Sequence, residues 1–108
     1  MSESTIATDQ VLTTLINVFT VDAQDQQPLV DLLVTATQDV MRHQPGFISA
    51  NIHASLDGSR VVNYAQWRSE ADFQTMLRDP GAAEHFGPVN AISKAEPHLY
   101  TVVSVHHA

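Results

Sequence analysis

A pair of β-type segments joined by an Asp-Gly turn constrains the fold of this chain more than any other feature. Residues 47–55 (FISANIHAS) alternate between two sets of side chains, and residues 60–67 (RVVNYAQW) follow the turn as a second β-type run. Alternation with a period of two is typical of strands, and Asp-Gly between two such runs is a strong hairpin signal. The chain is therefore expected to contain an antiparallel sheet.

A strand and a helix are expected before this hairpin. Residues 13–21 (TTLINVFTV) are β-branched and apolar, which favours a strand. Pro28 suits a first helical turn, and apolar residues then recur at helical spacing as far as Met41. Pro45-Gly46 ends this helix.

A second helix and a last strand are expected after the hairpin. Residues 69–72 (SEAD) match the capping-box pattern that opens a helix. Asp79-Pro80-Gly81 interrupts it, and we expect one or two further turns over residues 81–86 and a loop over residues 87–97. Residues 99–106 (LYTVVSVH) are dense in β-branched side chains and predict the last strand.

The resulting order, βαββαβ, is that of the ferredoxin-like α+β fold, in which two helices cover one face of an antiparallel sheet. The other face is then open. We expect it to be made apolar by Leu15, Phe19, Phe47, Val61 and Trp67. Because large apolar patches mark partners or ligands, the expected assembly is a homodimer that closes two sheets around a cavity.

Composition excludes several classes of function. The chain has 108 residues and no cysteine, which predicts one domain without disulfides or thiolate metal sites. The net charge is −7 and the 5 basic residues are scattered, so we expect neither a nucleic-acid partner nor a membrane surface. Residues 1–10 are polar and unlike a secretion signal. They predict a flexible arm before a single domain at 11–108, in a cytoplasmic protein.

Uncharged polar side chains within the sheet mark the candidate site. Asn63 and Trp67 are four residues apart on one strand and so point the same way. Asn51, His53 and Asn17 are expected to join them on the open face. An unpaired buried amide costs about 1–3 kcal/mol, so an asparagine within an apolar strand indicates binding. The alternative, an amide satisfied in the core beside a space-filling tryptophan, stays open.

Residues 45–73 (PGFISANIHASLDGSRVVNYAQWRSEADF) resemble the antibiotic biosynthesis monooxygenase family. The segments HASLDG and VVNYAQW carry the likeness, which is nearest to the cofactor-independent anthrone monooxygenase of actinorhodin biosynthesis. The resemblance implies a dimeric α/β barrel. It also implies oxidation of an activated aromatic CH₂ to a quinone, with O₂ as co-substrate and no flavin, metal or haem. The implied partners are a small aromatic substrate and a second copy of the chain.

The same resemblance implies roles for individual residues. Asn63 and Trp67 are the expected catalytic residues. The expected substrate-binding residues are His53, Asn17, Asn51, Phe73, Arg78 and His85. Two positions depart from the family pattern: Phe73 stands where the family has a tyrosine, and an arginine expected near the second helix has no clear match, with Arg78 or His85 the nearest candidates.

Two other functions stay open on the sequence. Some members of the superfamily degrade haem with an asparagine on the first strand, a tryptophan on the third and a histidine on the second helix. Asn17, Trp67 and His85 are suitably placed for that reading, although 5 basic residues are few for haem propionates. The other alternative is a non-enzymatic dimeric barrel that binds a small ligand.

Overall fold

A four-stranded antiparallel sheet carries three helices in this structure, a computed structural model that describes residues 3–108. The strands are β1 (Thr13–Val21), β2 (Phe47–Ala54), β3 (Arg60–Trp67) and β4 (Ser93–Tyr100). The helices are α1 (Gln26–Asp39), α2 (Glu70–Leu77) and α3 (Pro80–Ile92). The strand order is β2-β3-β1-β4 and the sheet is not closed, so the predicted ferredoxin-like α+β fold is confirmed.

The hairpin turn between β2 and β3 is held by Asp57. Its carboxylate accepts hydrogen bonds from the Ser59 hydroxyl at 2.7 Å, the Ser59 backbone N–H at 3.0 Å and the Ser55 hydroxyl at 2.8 Å. These bonds, those from Ser59 above all, lower the pKa of Asp57 to about 2. Gly58 has a φ of +80°, a conformation that favours glycine. The Gln26 amide donates to the carbonyl of Ser55 at 3.0 Å, which joins α1 to the hairpin.

The register of the strands shows which side chains share a face. Directly opposed residues in an antiparallel pair project to the same side, and Asn63 lies opposite Asn17 on β1 and Ile52 on β2. Val62, one residue earlier, lies opposite His53. Asn63 and His53 therefore project to opposite faces of the sheet.

A register irregularity at the start of β2 explains why the sequence analysis placed these residues wrongly. Phe47 pairs with Trp67 and Ser49 pairs with the next residue, Gln66, so Ile48 is an extra residue in β2. Such a bulge moves the residue before it to the other face. Phe47 consequently lies on the same face as Trp67, as expected, whereas Ser49, Asn51 and His53 do not.

The helices cover the face that was expected to be open. This correction applies to the five apolar residues predicted to line the open face: Leu15, Phe19, Phe47, Val61 and Trp67. All but Phe47 are nearly inaccessible, and they pack with helix residues such as Leu29, Phe73 and Met76. The physical reason is that the amphipathic helices bury the more apolar face of the central strands. The outer face instead carries more polar side chains, among them Thr14, Asn51 and Gln66.

The helix α3 and the strand β4 differ from the prediction. α3 continues through Gly87-Pro88 to Ile92, although Pro88 removes one backbone hydrogen bond. Burial of Ala82 and Val89 on either side of the proline stabilises the longer helix. β4 then begins at once at Ser93 and not at Leu99.

The C-terminal residues 101–108 form no helix or strand in the described chain, so the predicted strand over 99–106 was wrong beyond Tyr100. β4 pairs with β1 over eight residues, from Ser93 opposite Val21 to Tyr100 opposite Thr14. Strand propensity alone does not decide which segment becomes a strand, because packing against neighbouring elements also contributes. Here the segment that directly follows α3 is the one that reaches β1 and pairs with it.

The N-terminal segment lies against the outer face of the sheet. The Asn51 amide donates to the Ser4 hydroxyl at 2.6 Å, and the Gln66 amide donates to the Thr5 carbonyl at 2.7 Å. Within residues 3–108, no helix is both long and apolar enough to cross a bilayer.

Candidate active site

A cavity of about 220 Å³ lies between the sheet and the three helices. Its walls are largely apolar, with aliphatic and aromatic side chains from β1, β2 and β3 on one side and from α1, α2 and α3 on the other. The lining residues that carry polar side-chain atoms are Asn17, Thr37, Asn63, Trp67, His85 and Asn90. A mostly apolar cavity with a few convergent polar groups is the usual form of a small-molecule site.

Two asparagines face each other across the two central strands on the floor of the cavity. Asn17 on β1 and Asn63 on β3 are directly opposed in the register. The side-chain oxygens of both residues are buried and have no hydrogen-bond partner within residues 3–108. Leaving a buried polar atom unpaired costs about 1–3 kcal/mol, so two such atoms side by side call for an explanation outside the fold. A bound ligand would supply the missing partners.

Trp67 completes this polar group at the end of β3. The residue is 2% exposed, and its indole Nε1 has no hydrogen-bond partner in the described part of the chain. Phe47 and Phe73 meet the indole in edge-to-face contacts, with ring centroids 5.5 Å and 6.0 Å away. These contacts fix the orientation of the ring without offering its N–H an acceptor.

Helix α3 forms the opposite wall of the cavity. His85, Phe86, Val89 and Asn90 all line it, and their spacing places them on one face of the helix. The Asp79 carboxylate caps the helix N-terminus by accepting a hydrogen bond from the Ala82 backbone N–H at 3.0 Å. A histidine and a second amide therefore face the sheet asparagines from the helix side.

Five of the eight predicted site residues line this one cavity. They are Asn63, Trp67, Asn17, Phe73 and His85. They come from β1, β3, α2 and α3, so the site depends on the complete fold.

The other three predicted site residues lie elsewhere. Asn51 is on the outer face, where its amide donates to the Tyr64 carbonyl at 3.0 Å, and exposed His53 is on the same face. The bulge at Ile48 accounts for both. Arg78 is exposed, follows the last residue of α2 and does not line the cavity. The structure therefore does not place these three residues in the cavity that Asn63 lines.

Asn90 lines the cavity but is not among the residues predicted for the site. It lay in the loop predicted over residues 87–97. The apolar residues Phe86, Val89 and Ile92 recur every three residues on both sides of the proline, and this spacing was the available signal for a longer helix.

The lining that the structure describes contains no aspartate, glutamate, lysine or arginine. Within the described range 3–108, the only ion pair is that of Arg68 and Asp72, with 2.7 Å between Nε and Oδ2, and neither residue lines the cavity. The hydrogen bond from Arg68 lowers the pKa of Asp72. In the same range, no three acidic or histidine side chains are grouped to hold a metal ion. The groups that can bind a ligand here are therefore neutral amides and an indole, whose buried atoms are shielded from water and can form hydrogen bonds.

Fold and cavity together define a ferredoxin-like α+β domain with a largely apolar cavity between its sheet and its helices. The sequence profile of the antibiotic biosynthesis monooxygenase family matches residues 13–87. The chain belongs to this family, which confirms the resemblance seen over residues 45–73.

Individual relatives agree with this assignment. Tetracenomycin-F1 monooxygenase of Streptomyces glaucescens is 50% identical over 94 residues, covering 87% of this chain and 84% of the relative. The monooxygenase ActVA-Orf6 of Streptomyces coelicolor, solved with nanaomycin D, is 33% identical with a TM-score of 0.81, covering 91% of this chain and 93% of that one. The protein is therefore an enzyme of the monooxygenase class.

A third relative supports the fold. A mutant of SnoaB of Streptomyces nogalater, described as a cofactor-independent oxygenase, superimposes with a TM-score of 0.80 at 24% identity. The match covers 89% of this chain and 97% of SnoaB.

Proposed function

We propose that the protein oxidises the activated CH₂ of an anthrone-like aromatic polyketide to a quinone carbonyl, with O₂ as co-substrate and no cofactor. The observation that carries the proposal is the set of three buried, unpaired polar atoms in one apolar cavity: Oδ1 of Asn17, Oδ1 of Asn63 and Nε1 of Trp67. The names of the relatives add support, since one acts on tetracenomycin F1 and another was solved with the polyketide nanaomycin D.

The cavity suits a reaction in which the substrate itself supplies the electrons. Loss of a proton from the CH₂ leaves an anion that is delocalised onto the keto oxygen and readily donates electrons to O₂. The unpaired indole N–H of Trp67 and the side-chain N–H of Asn63 donate to that developing oxyanion, and a dry site strengthens such hydrogen bonds. The unpaired Oδ1 atoms of Asn63 and Asn17 accept hydrogen bonds, so their partners are hydroxyl groups of the substrate. One oxygen atom enters the substrate, and the other leaves as water.

Three further lining residues are assigned to substrate binding. Asn17 offers its unpaired Oδ1 as an acceptor to a hydroxyl group of the substrate. Phe73 supplies an apolar wall that also orients Trp67. His85 faces the substrate from α3. The proposal gives His53, Asn51 and Arg78 no part in binding, because they lie outside the cavity.

The haem-degrading alternative has one observation in its favour, because Asn17, Trp67 and His85 do line the same cavity. Haem propionates require basic partners, however, and the described lining contains neither arginine nor lysine. An uncharged aromatic substrate fits this lining better. The non-enzymatic alternative does not agree with 50% identity to a named monooxygenase.

The first prediction is that turnover needs only O₂ and substrate. We expect the purified protein, dialysed against chelator, to be colourless and to consume O₂ with a small panel of anthrones and hydroquinones. Quinone should form in equal amount to the O₂ consumed, and added flavin, iron or chelator should not change the rate. Activity that appears only after a metal or flavin is restored would contradict the proposal.

We further propose that the working assembly is a homodimer formed through the outer face of the sheet. A groove there is lined by apolar and small polar side chains of β1, β3, the N-terminal segment and the C-terminal tail, among them Ile6, Ile16, Tyr64 and Val102. Tyr100 and Val103 are 46% and 87% exposed beside it. A β-branched tail that forms no strand within residues 3–108 is suited to pairing with a second copy.

The second prediction tests this assembly. Light scattering at micromolar concentration should return twice the chain mass of 11.8 kDa. Ile16→Glu on the outer face should shift the protein to a monomer, whereas Gln74→Glu on the exposed side of α2 should not. A wild-type mass of one chain would refute the dimer. The division into an arm (1–10) and one domain (11–108) and the cytoplasmic location stay predictions.

A further inference from the structure

His85 is distinguished within the cavity by its acid–base chemistry. Among the described residues that line the cavity it is the only histidine, and its imidazole is the one lining group of the kind that enzymes most often use as a general base. The 12 acidic and 5 basic residues of the chain lie outside that lining. The side chain is half-buried, and no carboxylate within residues 3–108 forms an ion pair with it.

The polar groups lie on two opposite walls of the cavity, and this arrangement determines how an anthrone is oriented between them. Asn63, Asn17 and Trp67 belong to the sheet, whereas His85 belongs to α3 on the far wall. In an anthrone, the keto oxygen and the reacting CH₂ lie at opposite edges of the central ring. A keto oxygen held by the sheet therefore directs the CH₂ toward the helices, where His85 is located.

On this basis we propose that His85 is the catalytic base of the reaction, a role that rests on the proposed function and deepens it. Its neutral imidazole accepts a proton from the CH₂. The C–H bond breaks, its electron pair is delocalised onto the keto oxygen, and an N–H bond forms on the ring. Imidazole suits this transfer because it both accepts and donates protons near neutral pH.

The proton that His85 accepts from the CH₂ is returned to the substrate in a later step. The substrate anion is oxidised by O₂, which forms a C–O bond and leaves a peroxide anion. The imidazolium returns its proton to that anion, giving a hydroperoxide on the former CH₂ carbon. Loss of the second C–H proton and cleavage of the O–O bond then release one water and leave the quinone carbonyl.

Proton exchange without oxygen isolates the step assigned to His85. Anthrone in D₂O under anaerobic conditions loses its CH₂ signal in the NMR spectrum as deuterium enters. Wild-type protein is expected to accelerate this exchange, and His85→Gln should lower the protein-catalysed rate at least tenfold. His43→Gln, which alters an exposed histidine outside the lining, should leave the rate unchanged.

Chemical rescue separates a base from a structural role. Added imidazole should restore part of the exchange rate of His85→Ala, whereas pyrazole, a much weaker base of similar shape, should not. Exchange at the wild-type rate in His85→Gln, while wild type oxidises anthrone in air, would overturn the role of His85 and leave the proposed function intact. A wild-type protein that neither exchanges nor oxidises any anthrone or hydroquinone in the panel would overturn both.

Discussion

Trp67→Phe is expected to lower turnover about 10²-fold or more, the usual effect of removing one oxyanion donor. The substitution deletes the indole N–H, which has no partner within residues 3–108 and lines the cavity. Phenylalanine keeps part of the aromatic bulk between Phe47 and Phe73, so the melting temperature should fall only modestly. Steady-state O₂ uptake and thermal melting measure the two effects separately.

Tyr64→Phe is the matched control for this variant. It also removes a polar hydrogen from an aromatic side chain of β3, but on the outer face, where the Tyr64 hydroxyl accepts a hydrogen bond from Gln66 at 3.0 Å. We expect its turnover to stay within a few-fold of wild type. If Trp67→Phe also stayed within a few-fold, the indole would be a packing group and not a donor to the substrate.

Much of the fold could be predicted because local patterns coincide with the tertiary structure. The predicted bounds of β1 and β3 are confirmed residue for residue. The predicted start of α2 is confirmed as well, since the Ser69 hydroxyl accepts a hydrogen bond from the Asp72 backbone N–H at 3.1 Å. In these segments the hydropathy period and the capping residue are local signals, so the bounds of the strands and the start of the helix are predictable without knowledge of distant contacts.

The incorrect predictions share a dependence on distant contacts. The extra residue Ile48 is defined by the pairing of β2 with β3, and alternation within β2 alone does not reveal it. Helix α3 passes Pro88 because Ala82 and Val89 are buried against the rest of the fold. The end of that helix then determines which residues of the C-terminal segment pair with β1.

The candidate site was predictable in part for the same reason. Asn63 and Trp67 share one regular strand, so their spacing alone placed them together. Asn17 followed from strand pairing. His53 and Asn51 were misplaced by the bulge, and Asn90 was missed with the end of α3. Which face the helices cover depends on the side chains of the whole sheet, and the sequence of one strand does not determine it.

Asn63→Ala is expected to reduce kcat/KM at least tenfold while the protein remains as stable as wild type. The amide donates to the substrate oxygen as negative charge develops there, so its loss raises the barrier of the reaction. The side-chain oxygen of Asn63 is buried without a partner in the described chain. Removing an unsatisfied buried group leaves no other group unpaired, and therefore costs the folded state little.

Asn51→Ala, on the neighbouring strand β2, is expected to have the opposite effects on stability and activity. Its amide is satisfied, with hydrogen bonds to the Tyr64 carbonyl and the Ser4 hydroxyl on the outer face. Removing it should destabilise the fold by about 1 kcal/mol, the ordinary contribution of such bonds, with specific activity retained.

The most direct test of the account is to measure thermal melting and steady-state oxidation of an anthrone on the same preparations of wild type, Asn63→Ala and Asn51→Ala. The account predicts a crossed pattern: Asn63→Ala loses activity and keeps its melting temperature, whereas Asn51→Ala keeps its activity and melts earlier. A large drop in the melting temperature of Asn63→Ala with specific activity intact would contradict the account, because the amide would then be part of the folded core and not of the catalytic site.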